Sequence, residues 1–243
     1  MNGFSIKVKP IADPDDPDET VCDAVVTSPL GKIVYEDSDQ GMDLDPITGR
    51  DINGDGQPDA VLVSYSGGAH CCWAYHIISL GKKPGLIQEF EVDQPASFED
   101  LAGDGQTEIL MGDGGFNLGW GVAWDPHPLL IVQLKGSKFV DGRSRFWPVF
   151  EKEITKARAR LNRKSLREVT VSTIVLDYLY AGRYEEAKRA LTELWPLDSQ
   201  LTPMLRVPPK ARRDAAWNAM VSEYCSGFRA DFHLESGPLC GEE

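Results

Sequence analysis

Residues 51–66 read DINGDGQPDAVLVSYS, an acidic turn that leads directly into an apolar run. Asp51, Asn53 and Asp55 alternate along the turn, so a tight bend can direct their side-chain oxygens toward one point. Asp59 follows at the ninth place, immediately before the apolar residues. This spacing of hard oxygen donors predicts a calcium loop that anchors the β-strand after it.

Two further residues of the turn fit the same chemistry. Gly56 permits the positive φ that a tight turn requires, and the main-chain carbonyl of Gln57 can supply one more oxygen. The predicted calcium ligands are Asp51, Asn53, Asp55, Gln57 through its carbonyl, and Asp59. The alternative is a turn without metal, because Asn, Asp and Gly also form such turns unaided.

A second copy of the pattern lies about fifty residues later, in FEDLAGDGQTEILMGDGG at residues 98–115. Asp100, Asp104 and Glu108 occupy the first, fifth and ninth places, and an apolar run follows. The third place is Ala102, which has no side-chain oxygen. We therefore expect either a weaker calcium site here or a turn that keeps the shape without the ion.

The twelfth position of the first loop distinguishes two kinds of calcium protein. An EF-hand places a Glu there, whereas this chain has Leu62 inside the apolar run. A ninth-position Asp followed by AVLVSYS instead resembles the calcium loops of FG-GAP/VCBS repeats, the integrin-like β-propeller family, in which each loop joins two strands of a blade. The resemblance covers residues 45–140 and implies a truncated or rearranged relative, since a closed propeller needs at least four blades.

The chain changes character near residue 150. Short runs rich in Val, Ile, Tyr and Trp, separated by Gly, Asp, Asn and Pro, predict eight to ten strands before that point. Helix-forming residues with a 3.6-residue period predict three or four helices after it. The predicted fold is α+β, with an all-β, truncated propeller-like domain of antiparallel strands at 1–147 and a small α-helical domain at 148–243.

The segment YAGRYEEAKRALTELWP at residues 180–196 resembles a tetratricopeptide-type helical hairpin. Gly182, Tyr184 and Ala187 occupy the positions of its Gly-x-Tyr-x-x-Ala turn, although no second copy follows. A single unit of this kind cannot bury its own apolar face, so we expect it to pack against the β domain. A partner-binding scaffold that acts through this hairpin is the alternative.

The chain has five cysteines. Cys225 and Cys240 bracket a short C-terminal loop and are predicted to form a disulfide if the compartment is oxidising. We expect Cys22, on an early strand, to be bonded to Cys71 or Cys72, which leaves one thiol over. The alternative is a strained bridge between the adjacent Cys71 and Cys72.

The stretch SGGAHCC at residues 66–72 suggests other chemistry. In a strand, His70, Cys72 and His76 would share one face and could bind zinc or copper, but the two histidines would be about 20 Å apart. A nucleophilic cysteine is the enzymatic alternative. The corresponding hypothesis is a secreted hydrolase that uses this stretch or a calcium-assisted carboxylate such as Asp113.

The net charge of −13 disfavours binding to nucleic acid, because the field repels phosphate backbones. No apolar run is long enough to span a bilayer. We expect an extracytoplasmic location, periplasmic or secreted, with a signal peptide that is not part of this sequence.

The leading prediction is a Ca²⁺-binding, non-catalytic binding, adhesion or structural module. Its partner would be a protein, a second copy of the chain, or a carbohydrate. An exposed ring such as Trp120 can stack on a sugar, although such rings more often fill a small β core.

Overall fold

The computed structural model describes residues 3–13, 20–67, 72–114, 126–162, 167–196, 209–230 and 239–240. Within these residues the chain forms eleven strands, followed by four α-helices. This arrangement confirms the predicted α+β class, with antiparallel strands before the helices.

The first sheet has the strand order β1-β2-β3 and is antiparallel throughout. Its strands are β1 (Ser5–Ala12), β2 (Thr20–Thr27) and β3 (Ile33–Asp39). Pro10 lies within β1, where it is tolerated because β1 is an edge strand.

The second sheet has the order β4-β5-β6-β7. Its strands are β4 (Asp43–Leu44), β5 (Asp59–Tyr65), β6 (Trp73–Ser79) and β7 (Gly85–Val92). Strands β5 and β6 are buried on both faces, as their nearly continuous apolar sequences require. Residues 45–58, which contain the first predicted calcium loop, connect β4 to β5.

The third sheet has the order β11-β10-β9-β8. Its strands are β8 (Ser97–Glu99), β9 (Glu108–Gly112), β10 (Leu129–Lys135) and β11 (Lys138–Asp141). The second predicted loop, residues 100–107, connects β8 to β9. Both loops therefore join the first and second strands of a four-stranded meander.

The apolar core between the first two sheets lies beside the first loop. Leu62 and Ile78 are fully buried within it, and each contributes roughly 2 kcal/mol to the free energy of unfolding. The other buried members are Ala24, Val26, Met42, Ala60 and Leu80. Strand β5, which begins at the ninth residue of the loop, is thus fixed by packing.

The helices are α1 (Trp147–Arg158), α2 (Arg167–Tyr180), α3 (Tyr184–Leu194) and α4 (Pro209–Ala230). Gly182 has a φ of +72° between α2 and α3, which ends the first helix of the predicted hairpin. On α3, Ala187 and Leu191 are buried, as the helical spacing predicts. None of the described helices is both long and apolar enough to cross a membrane.

The chain forms two compact units by contact density. One contains Met1–Leu110 and Gln133–Val140, and the other contains Met111–Val132 and Asp141–Glu243. Both calcium-loop sequences belong to the first unit.

Three strands of the structure have no counterpart in the sequence prediction. Strands β4, β8 and β11 have two, three and four residues, with partly or fully exposed side chains. Such short edge strands carry no readable hydrophobic period, because few of their positions are buried. The sequence also predicts a strand at WGVAW, residues 120–124, which lie outside the described residues.

Candidate metal centre

The ends of the first loop are tied together by the backbone. The N–H of Asp59 donates to the carbonyl of Arg50 at 2.7 Å, and the N–H of Gly49 donates to the carbonyl of Asp59 at 2.8 Å. The loop is therefore closed by strand-like pairing at the point where β5 begins.

Asp51, at the first position, lies at the centre of the turn. Its carboxylate accepts N–H bonds from Gly54 at 2.8 Å, Asp55 at 3.2 Å and Gly56 at 2.7 Å. Gly56 has a φ of +79°, the left-handed conformation that brings its N–H toward this carboxylate. A carboxylate has about four acceptor positions, so three N–H bonds leave one for a cation.

Asn53 and Asp55 are oriented by bonds along the same turn. The side-chain oxygen of Asn53 accepts the N–H of Asp55 at 3.1 Å, and Asp55 Oδ1 accepts the N–H of Gln57 at 2.8 Å. Asn53 is buried, at 7% exposure, although Asn is ordinarily a surface residue. The third and fifth positions are therefore fixed by the loop itself.

Asp59, at the ninth position, is completely buried. Its Oδ2 accepts the N–H groups of Ile52 at 2.8 Å and Asn53 at 3.3 Å, which places the carboxylate against the loop. Its Oδ1 is also buried but has no hydrogen-bond partner. Because an unsatisfied buried carboxylate oxygen is costly, this atom is the strongest indication that the loop binds a cation.

The electrostatics of Asp59 agree with its burial. Desolvation raises the pKa of this carboxyl to about 7, against the lowering effect of the Ile52 and Asn53 N–H groups. The negative charges of Asp55 and Asp51 raise the pKa further. A cation in the loop would relieve both the desolvation and the repulsion among the three carboxylates.

The carboxylates of the first loop are not arranged as a complete coordination sphere. Among the described residues, no three side chains of His, Cys, Asp or Glu meet at one point in ligand geometry. The loop chemistry differs from such a cluster, because one donor is an amide and another is a main-chain carbonyl. Binding would require the side chains of Asp51, Asp55 and Asp59 to close onto the ion.

Gln57 carries the predicted main-chain ligand and is held from outside the loop. A Cβ added to Gly81 would lie 2.8 Å from Cγ and 2.9 Å from Cβ of Gln57, so only glycine fits there without displacement. The N–H of Leu80 also donates to the carbonyl of Pro58 at 3.0 Å. The segment after β6 therefore supports the seventh and eighth loop positions.

We expect Gly81→Ala to lower calcium affinity by about tenfold, as loss of a residue that positions a metal ligand typically does. The new methyl group must push Gln57 and thereby move its carbonyl. Calorimetric titration would measure the change. Gly31→Ala is the control. It also adds a methyl group to a glycine, but no atom beyond its chain neighbours lies within 4 Å of the new Cβ, and the strain from the positive φ stays in the turn between β2 and β3. Equal affinity in the Gly81→Ala protein would show that this contact does not position the carbonyl.

The second loop repeats the internal bonds of the first. The carboxylate of Asp100 accepts the N–H of Asp104 at 3.0 Å and that of Gly105 at 2.9 Å. Asp104 in turn accepts the N–H of Gln106 at 3.0 Å. The first and fifth positions of the two loops are therefore built alike.

The ninth position is where the two loops differ. Glu108 is fully buried like Asp59, and its Oε2 accepts the N–H of Leu101 at 2.8 Å. Its other oxygen, Oε1, accepts a hydrogen bond from the side-chain amide of Gln133 at 2.5 Å. No oxygen of Glu108 corresponds to the unpartnered Oδ1 of Asp59.

A cavity of about 550 Å³ lies between the two loops, within the first unit. The N–H of Gly136, in the turn after β10, donates to the carbonyl of Asn53 at 3.0 Å. The hydroxyl of Thr107 donates to the carbonyl of Asp51 at 3.5 Å. These bonds link the first loop to the second loop and to the β10–β11 turn.

The predicted cysteine pairs have different outcomes. Cys225 and Cys240 are bonded, with their sulfurs 2.03 Å apart, as the sequence predicts. The prediction for Cys22 is wrong, because Cys22 is a free thiol. It lies in the middle of β2, opposite Pro10 and Asp39, and packs against the core of the first two sheets.

The histidine and cysteine hypothesis finds little support in the described residues. Cys72 is disulfide-bonded and so supplies no thiolate. His76 is buried, and its Nδ1 is 2.8 Å from the hydroxyl of Tyr35, with a carboxylate oxygen of Asp37 3.8 Å from Nε2. His70 and Cys71 lie outside the described residues, as does Trp120.

Asp113, the carboxylate of the hydrolase hypothesis, belongs to the second unit. It accepts a hydrogen bond from the hydroxyl of Tyr180, and the Tyr180 ring lies 5.3 Å from the guanidinium carbon of Arg143. Burial and the negative charge of Asp113 raise the pKa of Tyr180. Asp113 therefore lies in a polar cluster with Tyr180 and Arg143.

Comparison with protein-family models, with curated proteins and with solved structures finds no match to this chain.

Proposed function

We propose that this chain is an extracytoplasmic calcium-binding protein, a non-catalytic binding, adhesion or structural module of the FG-GAP/VCBS type. The observation that carries the proposal is the buried, unpartnered Oδ1 of Asp59 beside an acidic turn. The ion would be held by the side chains of Asp51, Asn53, Asp55 and Asp59 and by the carbonyl of Gln57. Calcium suits this set because it prefers hard oxygen ligands and accepts irregular geometry.

The placement of the loops supports the FG-GAP/VCBS assignment. Each loop joins two neighbouring strands of a four-stranded sheet, and the resemblance implies that such a loop joins two strands of a blade. The first sheet, β1 to β3, contains neither of the two loops and contributes its apolar face to the core with the second sheet.

The role that we assign to the ion is structural. Calcium would neutralise the carboxylates of Asp51 and Asp55 and satisfy Asp59, the first residue of the buried strand β5. Since the ion would bind the folded loop and not the unfolded chain, its binding free energy would add to the stability of the first unit.

The extracytoplasmic location is supported by cysteine chemistry. Cys225 and Cys240 form a disulfide, and Cys72 is also oxidised. Disulfides of this structural kind persist in oxidising compartments and are rare in the cytosol of mesophiles.

The alternatives receive less support. The secreted hydrolase would use Cys71 or Cys72 with a histidine, or Asp113. Cys72 is oxidised and Asp113 accepts a hydrogen bond from Tyr180, while Cys71 lies outside the described residues. The helical scaffold would need an exposed apolar face. Among the described residues, the exposed large apolar side chains are Leu30, Ile33, Tyr65, Leu86 and Val140, all of them outside the helices.

Thermal unfolding with calcium and with a chelator tests the proposal. Calcium at 100 times its dissociation constant should stabilise the protein by about 2.7 kcal/mol, which corresponds to a rise in Tm of several degrees. Magnesium at the same concentration should give a smaller rise, because it demands octahedral geometry and keeps its water. A Tm that calcium leaves unchanged would overturn the proposed function.

A further inference from the structure

We propose that the second loop is a closed copy of the first, in which the side-chain amide of Gln133 takes the place of a cation. The chain would then bind one calcium ion and not two. That the first loop binds a calcium ion rests on the proposed function. The closure of the second loop rests on the contacts of Glu108 alone.

The closure starts from the two oxygens of the buried ninth-position carboxylate. In the second loop, the Leu101 N–H satisfies Oε2 of Glu108 and the Gln133 amide satisfies Oε1. In the first loop, the corresponding backbone bonds satisfy only Oδ2 of Asp59. A side-chain donor thus satisfies the second carboxylate oxygen of Glu108, whereas the second oxygen of Asp59 has no hydrogen-bond partner.

Gln133 is well placed to act as a permanent substitute. It lies within β10, its side chain is 3% exposed, and it approaches Glu108 from a neighbouring strand of the same sheet. An amide N–H donates to a carboxylate but cannot coordinate calcium through nitrogen. An ion at this position would first have to break the buried hydrogen bond between Gln133 and Glu108.

The third position of the second loop adds a second obstacle. Ala102 is exposed and has no side-chain oxygen, whereas Asn53 at the same place in the first loop is buried and oriented toward the turn. Asp100 and Asp104 accept loop N–H groups much as the aspartates at the same places in the first loop do, so the two loops differ at the third and ninth positions. Calcium needs six to eight oxygens, so this set falls further short than the first.

The inference can be tested by opening the loop. The double variant Ala102→Asn with Gln133→Ala restores an oxygen at the third position and frees Oε1 of Glu108. Equilibrium dialysis with calcium should then show one more ion per chain than in the wild-type protein. Wild-type protein should bind one ion, and Asp100→Asn should leave that number unchanged.

The outcomes separate the two proposals. Two ions in the wild type that fall to one in Asp100→Asn would overturn the closure of the second loop and leave the first site intact. No ion in the wild type would overturn the proposed function, while the double variant should still gain one. A double variant that folds and gains no ion also overturns the inference. If it does not fold, the ion counts of the wild type and of Asp100→Asn decide the question by themselves.

Discussion

Asp59→Asn should abolish the rise in Tm that calcium gives the wild-type protein. Asp59 Oδ1 is a buried carboxylate oxygen without a protein partner, and the substitution replaces its charge with an amide. Loss of one charged ligand lowers calcium affinity by at least about 100-fold, since affinity follows the number of charged ligands and even indirect contacts account for 10- to 100-fold. Calorimetric titration and thermal unfolding in the same buffer would measure both effects.

The matched control is Asp104→Asn in the second loop. It removes the same charge from an acidic turn, and the new amide oxygen can still accept the N–H of Gln106. The calcium response of this variant should equal that of the wild type. If the two variants lose the response equally, the effect comes from the overall negative charge of the loops and not from ligation by Asp59.

The sequence predicts the loops better than any other feature, because their chemistry is local. The alternation of Asp51, Asn53 and Asp55 determines which backbone N–H groups each oxygen can reach, and the structure has those bonds. The strand after each loop follows from its apolar run for the same reason. Information within about ten residues is sufficient for these elements.

The hydrogen bond that distinguishes the second loop from the first could not be predicted from the local sequence. Gln133 lies 25 residues after Glu108, within a strand that reads as apolar, and nothing near it in the sequence marks its partner. The sequence does indicate a weaker second loop through Ala102, but the amide that closes it depends on how β10 pairs within its sheet. A single polar residue in an apolar strand is the one local signal that was present.

The error at Cys22 has the same origin. Cysteine count and spacing can suggest a bridge but cannot show which strands are neighbours. Strand β2 pairs with β1 and β3, so Cys22 lies opposite Pro10 and Asp39. The Cys225 to Cys240 bridge was easier to predict because it closes a short local loop.

Asp177 is a buried carboxyl that the sequence gives no reason to single out. It lies on α2, inside the second unit, at 3% exposure, and its Oδ1 accepts the N–H of Leu129 at 3.2 Å. Desolvation raises its pKa to about 7, against the Leu129 hydrogen bond, and Glu153 on α1 adds a smaller repulsion. In the unfolded chain the pKa returns to about 3.9.

The consequence is a loss of stability as the pH rises. Between about pH 4 and pH 7 the folded state holds a proton on Asp177 that the unfolded state has released, so the free energy of unfolding falls through this window. Asp177→Asn cannot ionise and escapes this loss. From pH 4 to pH 8 the stability of the variant should rise relative to the wild type by roughly 2–4 kcal/mol. Urea unfolding monitored by helical circular dichroism would measure the change.

The comparison isolates Asp177, because other groups that titrate in this range, Asp59 among them, are present in both proteins. Any constant cost of burying the new amide shifts the variant equally at both pH values and drops out of the difference. Asp214→Asn is the control. The Asp214 side chain is 74% exposed on α4, so the stability of this variant relative to the wild type should change little with pH. A wild-type to Asp177→Asn gap that is constant with pH would mean that Asp177 has the same charge in the folded and unfolded states.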